Sequence, residues 1–257
     1  MTKIGKRDTV IKKNELSITH ISEVGVMKYK KSSYNEERKE EKRKLIFQTA
    51  ATVFVQNGYH KTTVKDIVDK AGVSVGTFYL YFKNKEDIFE KIFDAVVSMH
   101  STISNKVIQY GEYSTVQCFC RAITASIWTF EQYRELTRIM IIEAVGLNPE
   151  LEEKRIAAIN QSHLQMENLL RFLQENKEID IPDPKIGSLV LEGASLNVRT
   201  YWLLNEINEP LRSYSYALNV FILQGLGLKF DSNDVKDSIN KVLEELDSHP
   251  EQYAVFP

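Results

Sequence analysis

Residues 62–89, TTVKDIVDKAGVSVGTFYLYFKNKEDIF, constrain this chain more tightly than any other stretch. Three short helices are legible in it from their caps. Thr63 with Asp66 three positions later forms a capping box, in which hydroxyl and carboxylate each satisfy a backbone N–H that a first helical turn leaves open. Ile67 and Val68 give that helix an apolar face. Gly72 ends it, because glycine takes up the left-handed conformation of a tight turn without a Cβ clash. Ser74 caps a second helix, expected over Val75 to Phe82. Asn84, with Asp87 three residues on, opens a third at Lys85.

Two helices joined by a short glycine-containing turn make a helix-turn-helix, whose second helix enters the DNA major groove while the first crosses the backbone. Phe78 and Phe82, four apart, are the inward pair of that second helix. Ser74, Val75, Gly76, Thr77, Tyr79 and Tyr81 are left for the DNA side. Gly76 lets a sugar-phosphate backbone come close, Thr77 offers a hydroxyl, and each tyrosine offers a flat face and a phenol. Thr63, Lys83 and Lys85 flank this face as phosphate partners. The same cap-helix-glycine-cap-helix order also builds plain helical hairpins, so a protein-protein interaction module without DNA is the alternative reading.

The ordered set Ile46, Ala50, Phe54, Gly58-Tyr59, Thr63-Val64, Asp66-Ile67, Ala71-Gly72-Val73-Ser74, Gly76-Thr77, Tyr79, Tyr81-Phe82 and Lys85-Glu86 resembles the tetracycline-repressor (TetR/AcrR) family of bacterial transcription regulators. The resemblance implies an all-α homodimer with an N-terminal three-helix helix-turn-helix domain and a C-terminal helical domain for ligand binding and dimerisation. It implies operator DNA and a small effector as partners, with release from a palindromic operator when the effector binds. Val75 and Leu80 depart from the family's usual polar or aromatic choices and bear on sequence specificity, not on fold.

Composition agrees with an all-helical chain. Its 257 residues are 43% hydrophobic, enough for a sizeable core, with only six prolines and eleven glycines. The net charge of −2 hides a split. Residues 1–91 carry 19 Lys and Arg against 12 Asp and Glu, a balance of +7; the rest carry 14 against 23, a balance of −9. A polyanion partner suits the first part alone. Cys118 and Cys120, two apart on a helix, diverge and read as buried small hydrophobes in a reducing cytoplasm. There is no eighteen-residue apolar run and no signal-peptide core, so no membrane association is expected.

Taken in order, residues 1–35 read as a flexible basic arm without helical periodicity, within which Met27 is a candidate native start. Residues 36–84 hold the helix-turn-helix domain, its first helix turning Ile46, Ala50, Val53 and Phe54 inward. Residues 85–105 form a connecting helix. Residues 106–228 form the effector and dimerisation domain, with helices expected at about 114–130, 132–145, 149–176, 184–206 and 210–227. Asn148-Pro149 and Asp183-Pro184 are cap-proline starts. Residues 229–257 read as a polar tail, with a short polar helix expected over 231–247 and a loose end over 248–257. The last two long helices are more apolar than one inward face requires, which agrees with the dimer seam the resemblance implies. Gly193, Ala194, Tyr201, Leu218, Phe221 and Leu223 are assigned to it.

Glu143 and His163 interrupt otherwise apolar helical lines, and a buried carboxylate or imidazole is costly unless paired. His163 fits either a core histidine bonded to a backbone carbonyl or a polar group in an effector pocket. Glu143 fits either a partner of an arginine such as Arg138 or the same pocket. Trp128, Tyr133, Asn160, Glu167 and Asn197 complete the candidate lining for a small amphipathic effector. No catalytic motif, phosphate loop, metal-ligand spacing or cofactor signature is recognisable, so neither an enzyme nor a cofactor is expected.

Overall fold

The computed structural model describes residues 19–107, 113–205 and 207–250, with side chains from Glu36 onward apart from those of Ser104, Ile139 and Glu143. Helices are the only regular elements among the described residues. The chain divides into two units, Met1–Arg43 and Lys44–Pro257.

The first helix, α1, spans Thr19–Asn57. It begins well before residue 36, so the expected arm over 1–35 is corrected from Thr19 on; residues 1–18 lie outside the described residues, and so do the arm's first lysines. Glu36 to Lys42 are exposed, and such a stretch needs no apolar periodicity to be helical. Glu, Lys and Arg are good helix formers, and Glu36–Lys39 and Glu40–Arg43 pair across one turn at 2.8 and 2.6 Å.

From Lys44 the order is clear. The C-terminal part of α1 buries Ile46, Ala50, Val53 and Phe54. Gly58 ends it with φ 77°, a left-handed turn. Then come α2 (Val64–Ala71), α3 (Val75–Tyr79) and α4 (Lys85–Val107). Phe54, Phe78, Phe82, Ile88 and Phe89 share one core cluster, and Phe89 meets Phe54 edge-on at 5.3 Å. That cluster continues along α4 through Ile92, Val96, Met99 and Ile103 to Trp128, Leu151, Val242 and Leu246. No break in packing separates the DNA-type domain from the rest.

The remaining helices are α5 (Thr115–Gln132), α6 (Arg134–Arg138), α7 (Pro149–Glu175), α8 (Pro184–Leu204), α9 (Ser215–Gly225) and α10 (Ser232–Ser248). A capping box at Ser114 and Gln117 starts α5, and Asn148 and Asp183 cap α7 and α8 just before proline. Where one helix was expected over 132–145, α6 passes into a π-turn at Ile139–Glu143. The wider turn breaks the α-helical repeat expected across 132–145. Pro210 precedes a 3-10 turn at Leu211–Tyr214 before α9 begins.

The expected polar tail is also corrected. Helix α10 packs along α5 and buries Val235, Ile239, Val242 and Leu246. Its polar residues are a solvated face over an apolar stripe. Arg121, buried on α5, donates to the Val107 carbonyl at 2.7 Å and to Glu245 on α10. Arg212 joins Glu131 at 2.5 Å to Asp247 at 2.8 Å. No helix of the described residues is long and apolar enough to cross a membrane. Cys118 and Cys120 carry free thiols, and burial pushes the Cys120 thiol up to about 12.

Candidate nucleic-acid interface and ligand domain

The helix-turn-helix is held by its caps. Thr63 accepts from the Asp66 N–H and donates its hydroxyl to Asp66 Oδ2 at 2.7 Å, while its backbone N–H reaches the same oxygen at 2.8 Å. The hydrogen bonds from Thr63 hold the Asp66 carboxyl below its usual range. Gly72 closes α2 at φ 67°, and Ser74 accepts from the Thr77 N–H at 3.1 Å to open α3. Phe78 and Phe82 are fully buried, and they fix how α3 is rolled on its support.

That roll decides which side chains remain outside. Helix α3 stops at Tyr79, shorter than the expected run to Phe82, and Leu80 continues as a turn. Ser74, Gly76 and Lys83 are exposed; Val75, Tyr79 and Leu80 are 46, 54 and 78% exposed. Thr77 is half-buried, its hydroxyl 2.8 Å from that of Ser74, and Tyr81 is half-buried against the core. Leu80 is therefore the most open apolar side chain on this face, and it was not among the candidate contacts. Leu80 keeps right-handed helical backbone angles, φ −72° and ψ −23°, at the end of α3.

Lys85 also sits differently from a free phosphate partner. Its Nζ donates to the Tyr59 carbonyl at 3.0 Å and lies 4.1 Å from the centre of the Tyr59 ring. The Tyr59 hydroxyl donates to Glu86 Oε1 at 2.7 Å, and burial followed by that carboxylate raises the phenol's pKa. Lys85 thus ties the start of α4 to the end of α1, with its remaining N–H groups available to a phosphate.

Gly76 is informative because nothing within the chain demands it. A Cβ there would meet only Ser74 Oγ at 3.8 Å, an ordinary contact. The open space belongs to whatever approaches from outside.

The expected effector residues are not brought together. Trp128 is fully buried, and its Nε1–H donates to Asp247 on α10 at 2.7 Å, so it is a core residue and not part of a pocket lining. Tyr133 caps the end of α5 against the same core. Asn160 and Asn197 are exposed, and Glu167 is engaged by Arg171 at 2.7 Å. The Glu143 side chain lies outside the described atoms. His163 is half-buried, with Nδ1 enclosed and without a hydrogen-bond partner.

A different polar group joins α4, α5 and α8. Arg199 donates from Nε to the Ser195 carbonyl at 2.8 Å and from an Nη to Ser126 Oγ at 2.9 Å, and stacks on Phe130 at 4.4 Å. His100 of α4 also meets Phe130, with ring centres 4.8 Å apart. Burial, then the Arg199 charge, pushes the His100 pKa down from 6.5 to about 3; burial likewise lowers Arg199 to about 10. Ser162 of α7 donates to Glu192 of α8 at 2.7 Å nearby along the same helix line. Sequence reasoning missed this group. The available signal was the spacing of Ser188, Glu192, Ser195 and Arg199, which places four polar residues on one helical line.

The opposite face of α8 is apolar and open. Ile186, Leu189, Val190, Leu196, Tyr201 and Leu204 are exposed, as is Phe221 on α9 at 66%. Gly193 and Tyr201 lie on this face, and Ala194 is half-buried beside it. Leu218 and Leu223 do not: both are buried in the chain's own core, because α9 turns Leu218, Ile222 and Leu223 inward and leaves Phe221 out. Their assignment to a dimer seam is corrected.

Residues 46–92 match the model of bacterial regulatory proteins of the tetR family. The chain is similar to the uncharacterised HTH-type transcriptional regulator YdgC of Bacillus subtilis, 27% identical over 76% of this chain and 97% of the relative. It is similar to the fatty acid metabolism regulator protein of the same organism, 27% identical over 70% of this chain and 93% of the relative. Among solved structures it resembles FadR of Bacillus subtilis in complex with stearoyl-CoA, with a TM-score of 0.61 at 24% identity over 70% of this chain and 97% of that one. It also resembles a SmeT–triclosan complex, with a TM-score of 0.63 at 20% identity over 75% of this chain and 94% of that one. With the capped helix-turn-helix in place, these likenesses agree on one conclusion: residues 46–92 form a helix-turn-helix of the tetR type, and the chain is a DNA-binding transcriptional regulator.

Proposed function

We propose that the protein is a homodimeric repressor that binds a two-fold-symmetric operator through α3 and is released by a small amphipathic effector in its C-terminal domain. The observation that carries the DNA-reading part is the face Ser74, Val75, Gly76, Tyr79 and Leu80, held outward by the buried pair Phe78 and Phe82. The exposed apolar stripe of α8 with Phe221 of α9 supports the dimer, since an apolar face of this length is seldom left to water. Solved structures that the chain resembles hold stearoyl-CoA, an apolar acyl chain on a charged headgroup, and triclosan, an aromatic phenol, which supports an amphipathic effector for this chain. Such a regulator works in the cytoplasm, beside its DNA.

Selection of bound DNA from a random pool tests the reading. A palindromic consensus with half-sites one helical turn apart, about 34–36 Å, is expected. Failure to enrich any sequence would remove the operator from the account.

A further inference from the structure

The inner line of α8 carries a positive charge that has no counter-ion among the described residues. Arg199 has two of its donors satisfied by neutral oxygens, Ser195 O and Ser126 Oγ. Among the described residues no carboxylate forms an ion pair with it; Glu192, the acid that acts on it electrostatically, is two turns away along α8 and accepts from Ser162. A desolvated cation is costly unless it is paired, and planar guanidinium favours a two-oxygen anion. Yet Arg199 and His100 are not packed shut. Protein surrounds both closely enough to depress their pKa values, and both keep accessible surface. Partly buried Ile123, Met166, Leu169 and Val198 belong to the surrounding cluster, and His163 on α7 has an enclosed Nδ1 without a hydrogen-bond partner.

We propose that Arg199 is the anion-binding group of the ligand domain, so that the effector is an amphipathic anion whose carboxylate or phosphate pairs with its guanidinium where α4, α5 and α8 meet. The proposal deepens the effector reading above and rests on it. Phe130 holds the guanidinium plane from one side, and Ser126 and the Ser195 carbonyl fix its rotation, which leaves its remaining donors for the anion. The apolar chain of the ligand would lie among the partly buried residues of α5, α7 and α8. His100 places α4, the helix that also carries the DNA-binding domain, in the same group. An anion at Arg199 therefore acts next to the element whose position sets the spacing of the recognition helices.

The test compares three amphiphiles with one chain length, laurate, lauroyl-CoA and the neutral dodecanol, below their aggregation limits. Binding is measured by calorimetry on the full-length protein, and release of selected operator is followed in parallel. Wild type should prefer one or both anions over dodecanol by about 10- to 100-fold, the worth of a charge-assisted pair. Arg199→Gln should erase the preference while dodecanol binding stays as it was. Arg199→Lys should keep part of it, which covers the case in which the glutamine variant does not fold. Preference for laurate assigns a carboxylate, and preference for lauroyl-CoA a phosphate. Dodecanol binding as tightly as laurate to wild type overturns the anion site, and so does an anion preference that survives Arg199→Gln. If dodecanol nonetheless releases the operator, the effector reading stands without the anion. If none of the three binds, both fall together.

Discussion

At the scale of single residues, two positions separate roles that the sequence alone cannot. Gly76 has room for a methyl group inside the chain, so Gly76→Ala should leave the fold intact and raise helix stability by up to about 1 kcal/mol. The same methyl would stand between α3 and an approaching backbone, and operator affinity should fall by roughly an order of magnitude or more. A thermal melt beside an anisotropy titration checks both. Unchanged DNA affinity would mean that Gly76 does not face DNA. His100 makes a separate prediction about pH. Its folded pKa is depressed from 6.5 to about 3, so between those values the unfolded chain binds the proton that the folded chain refuses. Stability from this group is complete above pH 6.5 and is lost as pH falls toward 3, with a slope of at most about 1.4 kcal/mol per pH unit. The other charge facing it is Arg199 on α8, which does not titrate in this window. Denaturant midpoints from pH 7 to pH 4 should fall less steeply in His100→Gln than in wild type. Equal slopes would show that His100 is open to protons when folded.

At the scale of elements, helix starts were legible because caps are local chemistry. Thr63, Ser74, Ser114, Asn148 and Asp183 each satisfy backbone N–H groups within three residues, whatever the tertiary fold does. Where an element faces is not local, and α8 shows it. Its exposed side is the apolar one, Ile186, Val190, Tyr201 and Leu204, and its inner line is polar, Ser188, Glu192, Ser195 and Arg199. An apolar stripe in a sequence says that something will be covered, without saying whether by the same chain or by another copy. Helix α9 misled for the same reason: it is apolar nearly all round, so Leu218 and Leu223 cannot be told from Phe221 by pattern. The structure separates them, and substitution checks the separation. Phe221→Glu and Val190→Glu should give helical monomers in sedimentation, with operator binding weakened. Leu223→Ala should instead cost about 2–5 kcal/mol of folding stability, the usual loss for a buried leucine. If Phe221→Glu and Val190→Glu remain dimeric, the open face of α8 and α9 is not the seam.

At the scale of the whole molecule, one apolar cluster runs from Ile46 and Phe78 along α4 to Trp128 and Leu246, so the DNA-binding end and the ligand domain share packing as well as sequence continuity. A ligand shifts DNA affinity only as far as it binds one arrangement of that packing better than another, and DNA must weaken the ligand by the same factor. A Gly-Gly insertion after Met99, midway along α4, should leave folding and ligand binding nearly unchanged while reducing that coupling; equal coupling in both proteins would show that α4 is not its carrier. The claim beneath all of this is that the face around α3 reads DNA and does not dock a protein. Its apolar members Val75 and Leu80 are what a protein interface would use; Ser74, Tyr79 and Lys83 are what phosphates and bases would use. Salt decides between them. Binding of the selected operator should weaken steeply between 50 and 200 mM salt, roughly in the range 10³ to 10⁵ for a site with six to ten phosphate contacts, because each contact releases a counter-ion. Tyr79→Ala should lower affinity for that operator more than for random DNA. Affinity that barely moves with salt and does not distinguish operator from random sequence would contradict the account.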